Sequence, residues 1–253
     1  MFKLGLVTYN MAKDWSIEEI IAKCRATGFR AVELRTTHAH GVEPTIDAAR
    51  RREVKAIFAD SDITLWGLGT ICEYHAVDPA EVQRNIDETI EFVKLAADLG
   101  CRGVKVRPNG FQDKAGIPRE KTLEQIGLAL KKCGEAAADY GVEIWLEVHG
   151  ATRSPAHIRQ ILDITAHPSV GACWNSNADE PEEGSIARGF ALLRDYIKSV
   201  HINELTNDYP WRELFRLLRE SGYDRYTLAE IPGSSDPERV MRYYARLWQE
   251  LVS

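Results

Sequence analysis

One pattern runs through the whole chain: a short apolar, β-branched run followed by a segment of helical period, eight times over without a long interruption. The strand-like runs are KLGLVTY, RAVELRT, ITLWGLG, RGVKVRP, EIWLEVH, VGACWN, KSVHINE and YTLAEIP. Between them lie amphipathic stretches such as SIEEIIAKCRATG, EVQRNIDETIEFVKLAADLG and LEQIGLALKKCGEAAADYG. Several end at a glycine (Gly28, Gly100, Gly141, Gly222), which enters the left-handed conformation at a helix end without a steric penalty. Asp78-Pro79, Ser154-Pro155 and Asp236-Pro237 read as helix starts, a capping side chain placed before a proline at the first helical position. Strands that alternate with helices and lack hairpin signals form a parallel sheet. Eight units in 253 residues fit a closed barrel better than an open sheet. The doubly wound alternative lacks the G-x-G-x-x-G that would follow its first strand. The expectation is an α/β chain folded as one (β/α)8 TIM barrel spanning residues 1–253.

Composition narrows the function classes. A formal charge of -6 weighs against gripping nucleic acid, which needs clustered Lys and Arg. No apolar run reaches membrane-spanning length. The opening MFKLGLVTYN reads straight into a strand without a signal-peptide pattern. Cys24, Cys72, Cys101, Cys133 and Cys173 are scattered and odd in number, which reads as reduced, buried thiols. A cytoplasmic enzyme acting on a small molecule, with no nucleic-acid or membrane partner, is the expectation; assembly into a homo-oligomer stays open.

In a TIM barrel, chemistry sits at the C-terminal ends of the strands. Those ends carry Glu147 and His149 on strand 5, Asn175 and Asn177 on strand 6, His201 on strand 7 and Glu230 on strand 8. Alternation groups Glu147 with Trp145 and His149, and His201 with Ser199 and Asn203. Any one of these is commonly a satisfied polar residue; four on consecutive strands are harder to explain so. Glu147 and Glu230 buried together would repel without a cation between them. Two carboxylates, an imidazole and an amide oxygen make a hard donor set suited to one divalent ion, Mn²⁺, Mg²⁺ or Co²⁺, with Zn²⁺ also admissible.

LEVHG around Glu147, VHINE around His201 and LAEIPG around Glu230 resemble the metal motifs of the xylose isomerase-like TIM barrels, and the resemblance covers essentially the whole chain. It implies sugar or sugar-phosphate isomerase or epimerase chemistry, with Glu147, Asn175, His201 and Glu230 as metal ligands. Glu147 and Glu230 would also be the catalytic acid and base on a metal-stabilised enediolate. The same enolate can expel a β-hydroxyl, so a dehydratase of a keto-polyol or keto acid stays beside it. Two departures stand out. Asn175 takes the place of the usual aspartate, and Ala178 that of a common histidine three residues on, which implies weaker metal binding. NELTNDYPW lacks the arginine that follows the strand 7 histidine in ketose 3-epimerases. A barrel that binds a ligand without turning it over is the alternative that Asn175 raises.

Among the expected substrate contacts, Lys105 and Arg107 alternate on strand 4 and suggest an anionic group, with pairing of Lys105 to Glu33 as the structural alternative. Gly233-Ser234-Ser235 offers a phosphate loop before a helix. His40 and His75, with His38, follow strands 2 and 3 and are assigned to substrate or loop contacts. They also admit the three-zinc phosphodiesterase of the abasic-site endonuclease branch. Trp66, Trp145 and Trp174 are read as core, and His157 and His167 as structural.

Overall fold

The computed structural model describes residues 2–253 and closes eight parallel strands into one barrel in chain order, β1 to β8, with β8 returning to β1. The strands are β1 (Lys3–Val7), β2 (Ala31–Arg35), β3 (Thr64–Glu73), β4 (Gly103–Arg107), β5 (Glu143–Glu147), β6 (Val170–Asn175), β7 (Ile197–Ile202) and β8 (Tyr226–Ala229). Around them pack α1 (Ile17–Thr27), α2 (Ala48–Ala59), α3 (Pro79–Leu99), α4 (Arg119–Asp139), α5 (Pro155–Thr165), α6 (Ala187–Leu193), α7 (Trp211–Glu220) and α8 (Pro237–Val252). The outer faces of the strands and the apolar stripes of the helices share one large buried cluster, from Leu4 and Leu34 to Leu214 and Met241.

The helix-start signals hold in two of three places. Asp78 accepts a hydrogen bond from Ala80 N–H at the head of α3, and Asp236 accepts one from Arg239 N–H at the head of α8. Ser154 makes no such bond; at α5 the proline alone marks the start. Gly28 and Gly100 cap α1 and α3 in the left-handed conformation, at φ 90° and 80°. All five cysteines are buried and unpaired. No described helix is long and apolar enough to cross a membrane.

The barrel interior is plugged in its lower half. Trp66 and Trp145 stack at 5.4 Å and pack with Val7, Ala31, Cys173 and Leu228. Gly67 and Gly103 make room for them, since a Cβ at Gly103 would come within 2.4 Å of the Trp145 ring. Trp174 points outward instead, against Phe190 and Tyr209. Filling the floor with indoles leaves polar side chains to the layer above, at the C-terminal mouth.

Candidate active site

The mouth holds a cavity of about 350 Å³ lined by Tyr9, Arg35, Lys105, Arg107, Glu147, His149, Asn175, Asn177, Asn203 and Glu230. Glu147, His201 and Glu230 each offer a ligand atom there, and the three atoms lie within 4.8 Å of one another. His201 Nδ1 is 3.6 Å from Glu147 Oε1 and 3.8 Å from Glu230 Oε2. Asn175 Nδ2 donates to Glu147 Oε1 at 3.0 Å, so the amide touches the same group. The spacing follows from the barrel: Asn175 of β6 is paired with His201 of β7, and Glu147 at the end of β5 is paired with Cys173, two residues before Asn175 on the same face of β6.

Two atoms in this layer are buried without any hydrogen-bond partner, His201 Nδ1 and Asn175 Oδ1. Buried polar atoms are rarely left so, and an unmet pair beside two carboxylates is what a cation site looks like to its donors. A divalent ion therefore fits the residues present. Glu147, His201 and Glu230 would hold it directly, and Asn175 Oδ1 is the fourth donor after a turn of its amide.

Three supporting contacts set the charge states. Lys105 Nζ, almost completely buried, donates to Glu147 Oε2 at 2.9 Å and to Thr70 O at 3.3 Å. Burial pushes the Glu147 carboxyl up, but Lys105 and His201 overcome it and hold it well below the usual range. At Glu230 burial is the largest influence and, with the Glu147 charge, outweighs the lowering by His201 and Lys105, so its carboxyl is pushed up. The two carboxyls are thus driven apart, as an acid and a base must be. His201 Nε2–H donates to the buried Glu33 Oε2 at 3.1 Å, which fixes the ring so that Nδ1 faces the cluster. Burial pulls His201 down, while Cys173, Glu33 and Glu147 together raise it well above its ordinary value. A metal held at Nδ1 would compete with a proton for that nitrogen.

His149 stands beside the cluster. Its Nδ1–H donates to Asn109 Oδ1 at 2.7 Å, and Asn109 Nδ2 in turn donates to Glu73. That leaves Nε2 as the unprotonated nitrogen, on a ring whose pKa is lowered, chiefly by burial. Asn109 is held at φ 53°, and Gly150 packs onto it so closely that a Cβ there would sit 2.3 Å from Asn109 O. The orienting group is therefore rigid.

Several expected contacts take other roles. Lys105 pairs with Glu147, neither free for a substrate anion nor bonded to Glu33. Arg107 is taken by Glu73, with which it makes a short ion pair at 2.5 Å. His40 uses both ring nitrogens on backbone, donating to Arg35 O at 2.9 Å and accepting from Val42 N–H at 3.0 Å, so it builds the loop after β2. His38 lies against Thr8 Oγ1, and burial pushes it down to about 4. His75 sits in a separate, larger cavity of about 810 Å³ between the loops after β3 and β4, where no metal-donor group converges among the described residues. These placements remove the three-zinc reading. Asn177 lines the mouth and donates to Val148 O. The Gly233–Ser235 loop precedes α8, where Asp236 accepts from one of the first N–H groups, that of Arg239, at 3.4 Å. Glu33, Arg35, Tyr9 and Asn203 were missing from the expected site. Arg35 could have been read as the last residue of β2, two positions after Glu33.

No curated protein sequence matches the chain. Among solved structures, D-psicose 3-epimerase from Clostridium cellulolyticum H10, solved with D-tagatose, superposes with a TM-score of 0.83 at 15% identity over 99% of both chains. The 3-keto-D-glucoside 4-epimerase YcjR from E. coli gives 0.82 at 16% over 99% of this chain and 100% of that one. The IOLI protein, solved with a bound zinc atom, gives 0.79 at 15% over 98% of this chain and 96% of that one. At such identities the likeness establishes the fold. The sequence pattern described as xylose isomerase-like TIM barrel matches residues 21–251, and the chain belongs to that family.

Proposed function

We propose that the chain is a divalent-metal-dependent isomerase or epimerase of a small carbohydrate, working by proton transfer on the carbon next to a carbonyl. The observation that carries this is the convergence of Glu147, His201 and Glu230, whose ligand atoms lie within 4.8 Å of one another, with His201 Nδ1 and Asn175 Oδ1 left unpartnered beside them. The sugar epimerases among the structural neighbours, and the zinc in one of them, point the same way. A bound divalent ion supplies Lewis acidity toward the substrate's carbonyl oxygen. Glu147, kept ionised by Lys105, takes the proton; Glu230, whose carboxyl is pushed up, returns one from the other side of the cavity. The indole-filled floor closes the site to water from below.

A second reading is favoured by one feature. The unprotonated His149 Nε2 is a third base at the mouth, placed to take the proton from the carbon next to the carbonyl and hand it to the β-hydroxyl, which then leaves as water.

The test is metal content per chain after loading with Mn²⁺, Mg²⁺ or Zn²⁺ and desalting, followed by uptake of solvent deuterium into a keto-sugar panel. About one ion per chain, weakened in Glu230→Gln, with deuterium at the carbon next to the carbonyl, supports the isomerase. Loss of water from the substrate moves the assignment to the dehydratase. An ion held without exchange into any substrate leaves a barrel that binds but does not turn over.

A further inference from the structure

Three cations reach the mouth, and two are already neutralised. Lys105 is bonded to Glu147, and Arg107 to Glu73. The third, Arg35, ends β2 and lines the same cavity, with no carboxylate on its guanidinium among the described residues. Its guanidinium lies over the Tyr9 ring at 5.1 Å. Its backbone is pinned at both ends of the residue: Arg35 N–H donates to Thr8 Oγ1 at 2.9 Å, and Arg35 O accepts from His40 Nε2–H at 2.9 Å. A planar, half-buried cation, stacked on an aromatic face and left without an anion, is built to receive one from a ligand.

We propose that Arg35 is the specificity residue of the mouth, receiving a carboxylate at the end of the substrate away from the reacting carbons, so that the preferred substrate is a sugar acid. This rests on the reading of the mouth as an isomerase or dehydratase site, but concerns binding, which is read separately from turnover. Carboxylate is favoured over phosphate by the surroundings. One guanidinium fork matches the two oxygens of a carboxylate, and the other two cations of the mouth are already paired, so no second free cation stands beside Arg35 to share a dianionic phosphate. His40 thereby acquires a purpose: it holds Arg35 without meeting the substrate.

The experiment uses metal-loaded full-length protein and three probes that differ at C6 alone: D-fructose, D-fructuronate and D-fructose 6-phosphate. Thermal stabilisation is titrated for wild type, Arg35→Met and Arg35→Lys. In wild type, D-fructuronate binds tighter than the other two. Arg35→Met weakens it roughly ten- to a hundredfold and leaves D-fructose unchanged. Arg35→Lys falls between, because the charge remains but the fork does not, and it keeps the assignment testable should the methionine variant fold poorly. Where D-fructuronate is turned over, KM rises in both variants while kcat holds. Equal binding of D-fructuronate and D-fructose by wild type, unchanged D-fructuronate affinity in both variants, or no binding of any probe overturns the proposal. Tighter binding of the phosphate ester overturns the carboxylate. Arg35-dependent binding without deuterium exchange sinks the enzymatic reading and leaves the carboxylate site standing.

Discussion

Strand β5 begins and ends with a buried glutamate, and the two could hardly be treated more differently. Glu143, at the floor of the barrel, accepts from Trp145 Nε1 at 2.9 Å, from Arg102 at 2.8 Å and from Arg225 at 2.7 and 3.1 Å, with Lys198 at 3.5 Å. Burial opposes its ionisation, yet Arg225, Trp145 and Lys198 bring it down to about 2. Glu147, at the mouth, has one lysine and one amide, and beside it lie two buried atoms with no partner at all. One end of the strand is saturated and closed. The other keeps polar atoms unpartnered and opens to a cavity, which is how a barrel divides stability from function between its faces.

Removing each glutamate tests that division. Glu230→Gln should cut turnover roughly 10²–10⁴-fold and leave the metal-free melting temperature unchanged or raised, because glutamine imitates the protonated form that the site already favours. Glu147→Gln should lose as much activity but also stability, since Lys105 would be left buried without its anion. Glu143→Ala should do the converse. It costs about 3–5 kcal/mol, read by denaturant unfolding, while the folded fraction keeps its kcat. A Glu143→Ala protein that folds normally but turns over slowly, or a Glu230→Gln protein that is badly destabilised, would break the comparison.

The frame was readable because hydrophobic period and glycine stops are local signals, and the same period places Glu147, Asn175, His201 and Glu230 at or next to the ends of β5 through β8. Side-chain pairing between neighbouring strands was not readable. Lys105 and Arg107 look like a cationic clamp on one strand, and nothing in VKVRPNG says that Glu147 and Glu73 will reach across to neutralise them. Which cation stays free is decided by neighbours on other strands, so Arg35 emerged in three dimensions. His40 misled for the same reason: a histidine in a loop is read by its chemistry, whereas its position let the backbone claim both nitrogens.

Glu143 and Glu180, a glutamate of the loop after β6, titrate in opposite directions. Glu143 lies below the ordinary carboxylate value, so its contribution is complete above pH 4.5 and is lost as pH falls through about 2. Near the mouth, Glu180 accepts from Tyr209 O–H at 3.1 Å and has a second oxygen without a partner; burial raises it to about 8. Its contribution is complete below pH 4.5 and is lost as pH rises through about 8, since folding there binds a proton that the unfolded chain has released. The slope is about 1.4 kcal/mol per pH unit for one proton. Melting curves between pH 5 and 8.5 should therefore fall more steeply for wild type than for Glu180→Gln. Parallel curves would mean that the carboxyl ionises in place.

The smallest effect bears most directly on the open end. Asn175 donates to Glu147 Oε1 and so satisfies, without an ion, part of what a metal would otherwise supply. Asn175→Asp exchanges that donor for a negative charge facing Glu147, so the metal-free protein should melt lower than wild type. With an ion bound the same carboxylate becomes an anionic ligand, and affinity should tighten by about tenfold, or ~1.4 kcal/mol. The two shifts have opposite signs, which makes the gap between metal-free and metal-loaded melting temperatures more telling than either value. A wider gap in Asn175→Asp places residue 175 against the ion. An unchanged gap would leave the amide as a hydrogen-bond donor to Glu147 alone, and the mouth would then hold its metal with three protein ligands.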